Sequence, residues 1–411
     1  MQSVLNKIKP GKEEISNFNK ITKKFLTKLN SKLKGAKTIL GGSGAKDTWL
    51  SGNHDVDLFV QFDHKTYSLE SHLISEHLEK TLKKTFPKHK IERLHGSRDY
   101  FELDYKELNF EVVPIIKINK SEDALNITDI SPLHAIWVNK NAKTIKDEIR
   151  LAKQFCKANK LYGAESHISG FSGYVLEILI VYYGSFEKLL KASLKWKDKE
   201  VIDPEKYYKN KHMALFNLNN SKLQSPIIVV DPVDKERNAA AALSKEKMKL
   251  FQKVAKQYLK SSSEKFFIKE EISKESLAKE KGYLIFLNIL PVEGKHDVVG
   301  VKLLKAFEFL NEELSAFKVK KSGWDWDGED KAVFYFILKE NQLAEFTVRN
   351  GPPLKLKEHV KNFKKVNKKT FTKEGKLFAK IKIERPLLDD FVKDLLKHKY
   401  FKEKVKKVKV N

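Results

Sequence analysis

Residues Gly41 to Val60 read GGSGAKDTWLSGNHDVDLFV, and this stretch decides how the rest of the chain is understood. Leu58, Phe59 and Val60 are apolar and strand-forming, so Asp55, Val56 and Asp57 open that strand, and alternation puts Asp55 and Asp57 on one face. Two acids on one face repel each other and call for a cation between them. Oxygen-only ligands that leave several waters in place suit Mg²⁺. Just upstream, Gly41, Gly42 and Ser43 form a tight turn ahead of Ala45 to Leu50, which is expected to start a helix whose amides and positive dipole end attract phosphate. No P-loop pattern (GxxxxGK) lies nearby. Either feature alone is usually a solvated turn or strand end; both in one strand-linked unit point to phosphate chemistry assisted by a divalent cation.

Such a site usually wants a third carboxylate. Tyr100 to Tyr105 (YFELDY) and Phe110 to Ile116 (FEVVPII) read as two strands around a polar turn containing Lys106, Glu107 and Asn109. Glu111, flanked by Phe110 and Val112, is the candidate in the second strand. Glu102 and Asp104 on the partner strand are its rivals, and spacing alone does not choose among them.

Over most of its length the chain resembles the archaeal-type, class I CCA-adding tRNA nucleotidyltransferases of the polymerase-beta-like superfamily. The shared segments are the GGS and DVD unit, FEVVP at Phe110 and SPLH at Ser131, followed by RLAKQFCKANKLYGAE from Arg150 and GFSGYVLEILIVYYGSF from Gly170. VVDPVDKERNAAAALS from Val229 and EFTVRNGPP from Glu345 complete the set. The resemblance implies that Asp55, Asp57 and Glu111 hold Mg²⁺. It also implies that Gly42, Ser43, Lys46, His134, Lys153 and Tyr162 contact the incoming triphosphate, and that Arg237 reads the incoming base together with the RNA end. The implied activity is template-independent addition of C, C and A to the 3′ end of tRNA from CTP and ATP, with pyrophosphate released. One Mg²⁺ would help the 3′ hydroxyl attack and a second would steady the departing pyrophosphate. Position 46 is usually arginine in the family and position 111 usually aspartate. Lysine here offers a point charge without a bidentate fork, and Glu111 reaches one methylene further. A poly(A) or oligoadenylate polymerase of the same superfamily would share the GGS and DVD unit, and a tRNA-binding homologue without activity is the alternative outside enzymes.

The bland readings stand beside these. His134 follows Pro132 near a helix start and could cap or pack. Lys153 flanks the apolar stripe Ile145, Ile149, Ala152 and Cys156, so periodicity alone makes it a solvated flank. Tyr162 could be a core aromatic, and Arg237 one basic residue among many.

Composition points the same way. The 411 residues carry 80 Lys plus Arg against 54 Asp plus Glu, a net charge of +26 that favours polyanions such as RNA. No apolar run is long enough to span a membrane, and Val175 to Tyr183, interrupted by Glu177, reads as a core helix. One cysteine, Cys156, excludes an internal disulfide framework and suits a cytoplasmic protein. The resemblance also allows a homodimer.

The expected architecture is multidomain α/β and α+β. Residues 1–130 would form the catalytic domain, a mixed sheet with helices, led by a helix carrying Ile15, Phe18, Ile21, Phe25, Leu29 and Leu33. Residues 131–260 would be mainly helical, with a strand at Ser225 to Pro232, and residues 261–411 an α+β tRNA-binding region. In the last part, strands are expected at Tyr283 to Leu290, Ala332 to Leu338 and Phe378 to Ile383, and helices at Val301 to Leu310 and Leu387 to Leu396. Arg349 to Pro353 is expected to be a turn. Trp324 and Trp326 are read as packing at a strand edge. The lysine-rich end from Lys397 to Lys409 is read as an RNA-backbone contact or a frayed terminus.

Overall fold

Phe18, Ile21, Phe25 and Leu29 recur at helical spacing and are buried along one face of the helix Lys12–Asn30, with Ile15 half-buried beside them. Leu33 lies beyond the helix end. The computed structural model describes residues 1–53, 55–218, 222–343, 345–383 and 387–410. Its contacts divide the chain into two units, Met1–Glu270 and Glu271–Asn411.

In the first unit the helix Lys12–Asn30 covers a five-stranded mixed sheet. Its strands are β1 (Ala36–Leu40), β2 (Asp55–Phe62), β3 (Glu92–Leu94), β4 (Tyr100–Tyr105) and β5 (Leu108–Ile116), in the order β1-β2-β5-β4-β3. Only β2 and β5 are parallel; the other pairs are antiparallel. The turn between β4 and β5 is just Lys106 and Glu107, with Lys106 at φ +57°, so Asn109 already belongs to β5. Along β2, Val56, Leu58, Val60 and Phe62 point into the core while Asp55 and Asp57 face away, as alternation requires. Phe25 anchors this core: its ring stacks on Phe110 at 4.1 Å and on Phe86 at 4.4 Å between centroids.

A second core in the same unit is helical. The helices Ser131–Asn141, Lys146–Ala158, Gly173–Tyr183, Phe186–Ser193 and Lys245–Lys260 supply most of it. Val4 and Ile8 of the short first helix, Gln2–Ile8, pack into this core and not into the sheet. Strand-like Ser225 to Pro232 forms the buried strand β7 (Ile227–Asp231), between β6 (Glu200–Ile202) and β8 (Asp234–Asn238).

The second unit contains two antiparallel sheets. One has the order β10-β11-β9-β15, from β9 (Tyr283–Pro291), β10 (Val319–Trp326), β11 (Ala332–Leu338) and β15 (Val405–Val410). The helices His296–Glu313 and Leu388–Lys397 pack their apolar faces on it. The other has the order β12-β14-β13, from β12 (Phe346–Pro353), β13 (Thr370–Lys373) and β14 (Lys376–Lys382).

Two expectations for this unit are corrected. Arg349 to Pro353 is not a turn but the end of the edge strand β12; an edge tolerates proline, and the register slips between Asn350 and Pro353. The lysine-rich terminus is not frayed: Val405 to Val410 pairs with β9, and Val405 is buried. Trp324 and Trp326 do pack at a sheet edge, Trp324 against Phe334 and Trp326 stacked on His296 at 4.4 Å.

Truncating Phe25 should open the sheet selectively. We expect Phe25→Ala to cost about 3–5 kcal/mol, the usual range for a buried phenylalanine. Native-state hydrogen exchange should then show faster exchange at β2 and β5 amides and little change in the Gly173–Tyr183 helix.

Candidate active site

The glycine turn and the acids meet through the backbone. Gly41 N–H donates to the Asp57 carbonyl at 2.8 Å, which fixes the turn against β2. The helix that follows is a single turn, Gly42–Lys46, and does not run over Ala45 to Leu50 as its sequence suggests. It stops because Asp47 is left-handed at φ +51°, and because neighbouring helices take the next carbonyls. Arg150 donates to the carbonyls of Asp47 at 2.7 Å and Trp49 at 3.1 Å, and Asn139 donates to the Ala45 carbonyl at 2.9 Å. Gly42 is needed on two counts. Its φ is +51°, and a Cβ there would fall 1.6 Å from Asp57 Oδ2, so the bare backbone lies directly against the carboxylate. Ser43, the next residue, holds the Thr48 amide with its carbonyl.

Register shows which acid stands nearest Asp57 across the sheet. Asp57 on β2 stands opposite Glu111 on β5, and Glu111 stands opposite Glu102 on β4, which in turn faces Glu92 on β3. Glu111 is therefore the neighbour of Asp57, Glu102 lies one strand further, and Asp104 is engaged by Asn109 Nδ2 at 3.0 Å. Like charges in register destabilise each other. Burial, then the nearness of Asp57, Glu102 and Asp55, pushes the Glu111 carboxyl up to about 7. Asp57 is also raised, chiefly by burial and further by Asp55, while Lys46 and Lys153 oppose the shift. Among the described residues no three His, Cys, Asp or Glu side chains are drawn together into a closed cage. What stands here is an open row of carboxylates whose mutual repulsion a cation would relieve, and hard oxygen donors with room for water fit a divalent ion such as Mg²⁺.

Beside the acids lies a buried ion triad. Glu177 is 1% exposed, in the middle of the apolar helix Gly173–Tyr183, and accepts from Lys46 Nζ at 2.6 Å and Lys153 Nζ at 2.7 Å. Thr48 Oγ donates to Glu177 at 2.7 Å and accepts from Lys153 at 2.9 Å. Burial would raise the Glu177 carboxyl, but the two ammonium groups hold it down at about 2. Lys153 is thus buried, at 3% exposure, and not the solvated flank its helical spacing indicates. Tyr162 reaches the same place: a Cβ on Gly173 would lie 2.7 Å from the Tyr162 hydroxyl and 3.5 Å from Lys153 Cε.

His134 and Arg237, far apart in sequence, converge on Asp231 at the end of β7. His134 Nε2 is 3.2 Å from Asp231, Arg237 pairs with the same carboxylate, and Tyr174 donates to its other oxygen at 3.0 Å. Asp231 is fully buried and held below the usual carboxylate range; burial acts against this, and its bonds to His134 and the Arg237 charge prevail. His134 itself is lowered by burial despite Asp231. Tyr174 joins the two clusters, stacking on His134 at 4.1 Å and lying 5.4 Å below the Lys46 ammonium.

All ten sequence-predicted residues therefore fall in these connected groups: Asp55, Asp57, Glu111, Gly42 and Ser43 at the acid row, Lys46, Lys153 and Tyr162 at the triad, His134 and Arg237 on Asp231. Sequence reasoning missed Glu177, Thr48, Tyr174 and Asp231. Glu177 did give a signal, because a charge inside an apolar run must be paired when buried. The other three gave none.

A mixed sheet that presents paired acids beside a glycine-serine turn defines the nucleotidyltransferase class, and the fold is polymerase-beta-like. Residues 1–151 match the Second Messenger Oligonucleotide or Dinucleotide Synthetase domain family. The solved Cid1 poly(U) polymerase aligns with TM-score 0.52 at 13% identity, over 66% of this chain and 97% of that one. Residues 147–268 match tRNA nucleotidyltransferase, second domain, and 297–407 match CCA-adding enzyme, C-terminal domain. Among curated proteins, the CCA-adding enzyme of Nanoarchaeum equitans is 44% identical over 54% of each chain. That of Methanosarcina mazei is 31% identical over 79% of this chain and 70% of its own. That of Methanocaldococcus jannaschii is 30% identical over 96% of this chain and 90% of its own. The chain belongs to the CCA-adding enzyme family.

Gly42→Ala should be far more damaging than its size suggests. The methyl group would displace the Asp57 carboxylate, so nucleotide incorporation should drop by about 10²-fold or more, as for other misplacements of a reacting centre. Thermal unfolding should also shift downward, because alanine is strained at φ +51°.

Proposed function

We propose that this chain adds C, C and A to the 3′ end of tRNA from CTP and ATP without a nucleic-acid template, releasing pyrophosphate. The observation that carries the reading is the meeting, at one end of β2, of a carboxylate row with two lysines that share a single counter-ion. The acids are built for cations. The lysines, two positive charges against one negative, leave a net positive charge for a polyanion.

The residues divide the work as follows. Asp55, Asp57 and Glu111 would hold Mg²⁺, which when bound supplies positive charge to the reacting phosphate and to the attacking and leaving oxygens. Gly42 keeps bare backbone against Asp57, and Gly42 and Ser43 would contact the triphosphate. Lys46 and Lys153 take the triphosphate oxygens, with the Tyr162 hydroxyl and His134 beside them. Asp231 fixes the directions of His134 and Arg237, and Arg237, the more exposed of the two, reads the incoming base with the RNA end. The chain thus contributes mainly position and charge, which suits phosphoryl transfer. The excess of 80 basic over 54 acidic residues attracts tRNA as the polyanionic partner.

The direct test uses a labelled tRNA transcript that lacks its terminal CCA, with Mg²⁺ and CTP, ATP or both. Two residues added with CTP and three with both are expected. A ladder of A that ignores CTP would reassign the chain to adenylate polymerisation, and no extension would remove the activity altogether. In the same assay Asp57→Asn should lower addition by about 10³-fold or more, while binding of the transcript changes little; an active variant would sink the metal assignment.

The pH dependence follows from Glu111. Its folded carboxyl is raised from 4.5 to about 7, so its contribution to stability is full below 4.5 and is lost as pH rises through 7 in metal-free protein. Cation binding has to displace that proton, so Mg²⁺ should bind more tightly as pH rises through 7. Thermal melts with and without Mg²⁺ should show a larger upward shift at pH 8 than at pH 6. An equal shift at both would mean that Glu111 is not among the ligands.

A further inference from the structure

We infer that Glu177 is a positioning residue for nucleotide binding, which holds the Lys46 and Lys153 side chains together at one point without itself meeting substrate. The inference rests on the proposed role of the two lysines at the triphosphate. Glu177 stands on the Gly173–Tyr183 helix, Lys153 on the Lys146–Ala158 helix and Lys46 on the one-turn helix after Gly41, so one carboxylate ties three separate elements together. Both its oxygens are engaged, Oε2 by Lys46 at 2.6 Å and Oε1 by Lys153 and Thr48 at 2.7 Å each.

The argument is electrostatic. Two ammonium groups this deeply buried repel each other and would be driven apart if nothing stood between them. Lys46 and Lys153 are 8% and 3% exposed, and water cannot replace the carboxylate as a counter-charge. Burial already depresses Lys153, and Lys46 adds to the effect; Glu177 opposes both. A carboxylate at this point leaves the triad with one net positive charge. That is enough to attract phosphate, yet less repulsive to the fold than a bare pair. Burial on an apolar helix keeps Glu177 itself from competing for the cation that the outward-facing acids of β2 and β5 would hold. Lysine at position 46 sharpens the requirement, because its compact charge has no planar fork to orient it, and its direction depends on the partner that receives it.

A residue that works through the lysines should act on nucleotide binding and not on the chemical step. With transcript lacking CCA as acceptor, Glu177→Gln is expected to raise the KM for CTP on the order of tenfold, the scale of one lost charge-assisted contact. The kcat and the KM for the transcript should change little. Lys153→Met should raise the KM for CTP similarly. The combined variant should lose less than the product of the two, since both changes act through one ion triad. Should Glu177→Gln not fold, Glu177→Asp, one methylene too short to reach both ammonium groups, is expected to show the same KM-directed loss in smaller measure. If Lys153→Met raises the KM for CTP but the Glu177 variant leaves it unchanged, or lowers kcat instead, the inference is overturned and the lysine assignment survives. If Lys153→Met itself leaves the KM for CTP unchanged, the triphosphate assignment fails and this inference with it.

Discussion

One carboxylate shared by two buried ammonium groups governs the working end of this protein. Glu177, Lys46 and Lys153 lie at the meeting of the sheet core and the helical core, and Thr48 completes their hydrogen bonds. Breaking a buried ion group by removing one member is costly, because it strands an uncompensated charge. The segment from Ala45 to Trp49 is therefore held from three sides, by Glu177, by Arg150 and by Asn139. That segment ends the one-turn helix that presses Gly42 against Asp57. The position of the acid row relative to the lysines is thus fixed by interactions that lie behind both.

The second consequence is a separation of charge over a short distance. Four acids cross the sheet in register, from Asp57 through Glu111 and Glu102 to Glu92, and burial together with neighbouring negative charge raises the carboxyls of Asp57, Glu111 and Glu102. On the other side of Asp57 stand the two lysines, and beyond them Tyr174 leads to the group of His134, Asp231 and Arg237. A nucleoside triphosphate has the same polarity: phosphates that seek cations and lysines, then a base that seeks directional donors. Asp231 resembles Glu177 in design. It is fully buried, uses both oxygens, and sets the direction of two more exposed side chains.

Local patterns in the sequence were enough for the strand at Asp55, the core helices and three of the described strands from Tyr283 onward, β9, β11 and β14, because each is written in apolar spacing. The pairing of Asp57 with Glu111 was not legible, since register between strands over fifty residues apart depends on the whole sheet. Three errors have distinct causes. The helix expected over Ala45 to Leu50 yields to tertiary hydrogen bonds from Arg150 and Asn139. The Asn-Gly-Pro-Pro run reads as a turn, but an edge strand with a bulge accepts it. The terminal lysines hide the valines that carry β15 onto β9. Lys153 was misread by periodicity because an ion triad, not an apolar contact, buries it. Family likeness singled out Lys153, His134, Tyr162 and Arg237, which spacing alone would have left as ordinary helix and surface residues.

The central claim is that a single nucleotide site, shared by CTP and ATP, lies between the acid row and the lysine triad. Equilibrium titration of the chain with CTP in the presence of Mg²⁺ and transcript, followed by displacement with ATP, tests it most directly. The account predicts one site per chain, Mg²⁺-dependent, from which ATP displaces CTP competitively. Two independent sites, or CTP binding that ATP cannot displace, would contradict it.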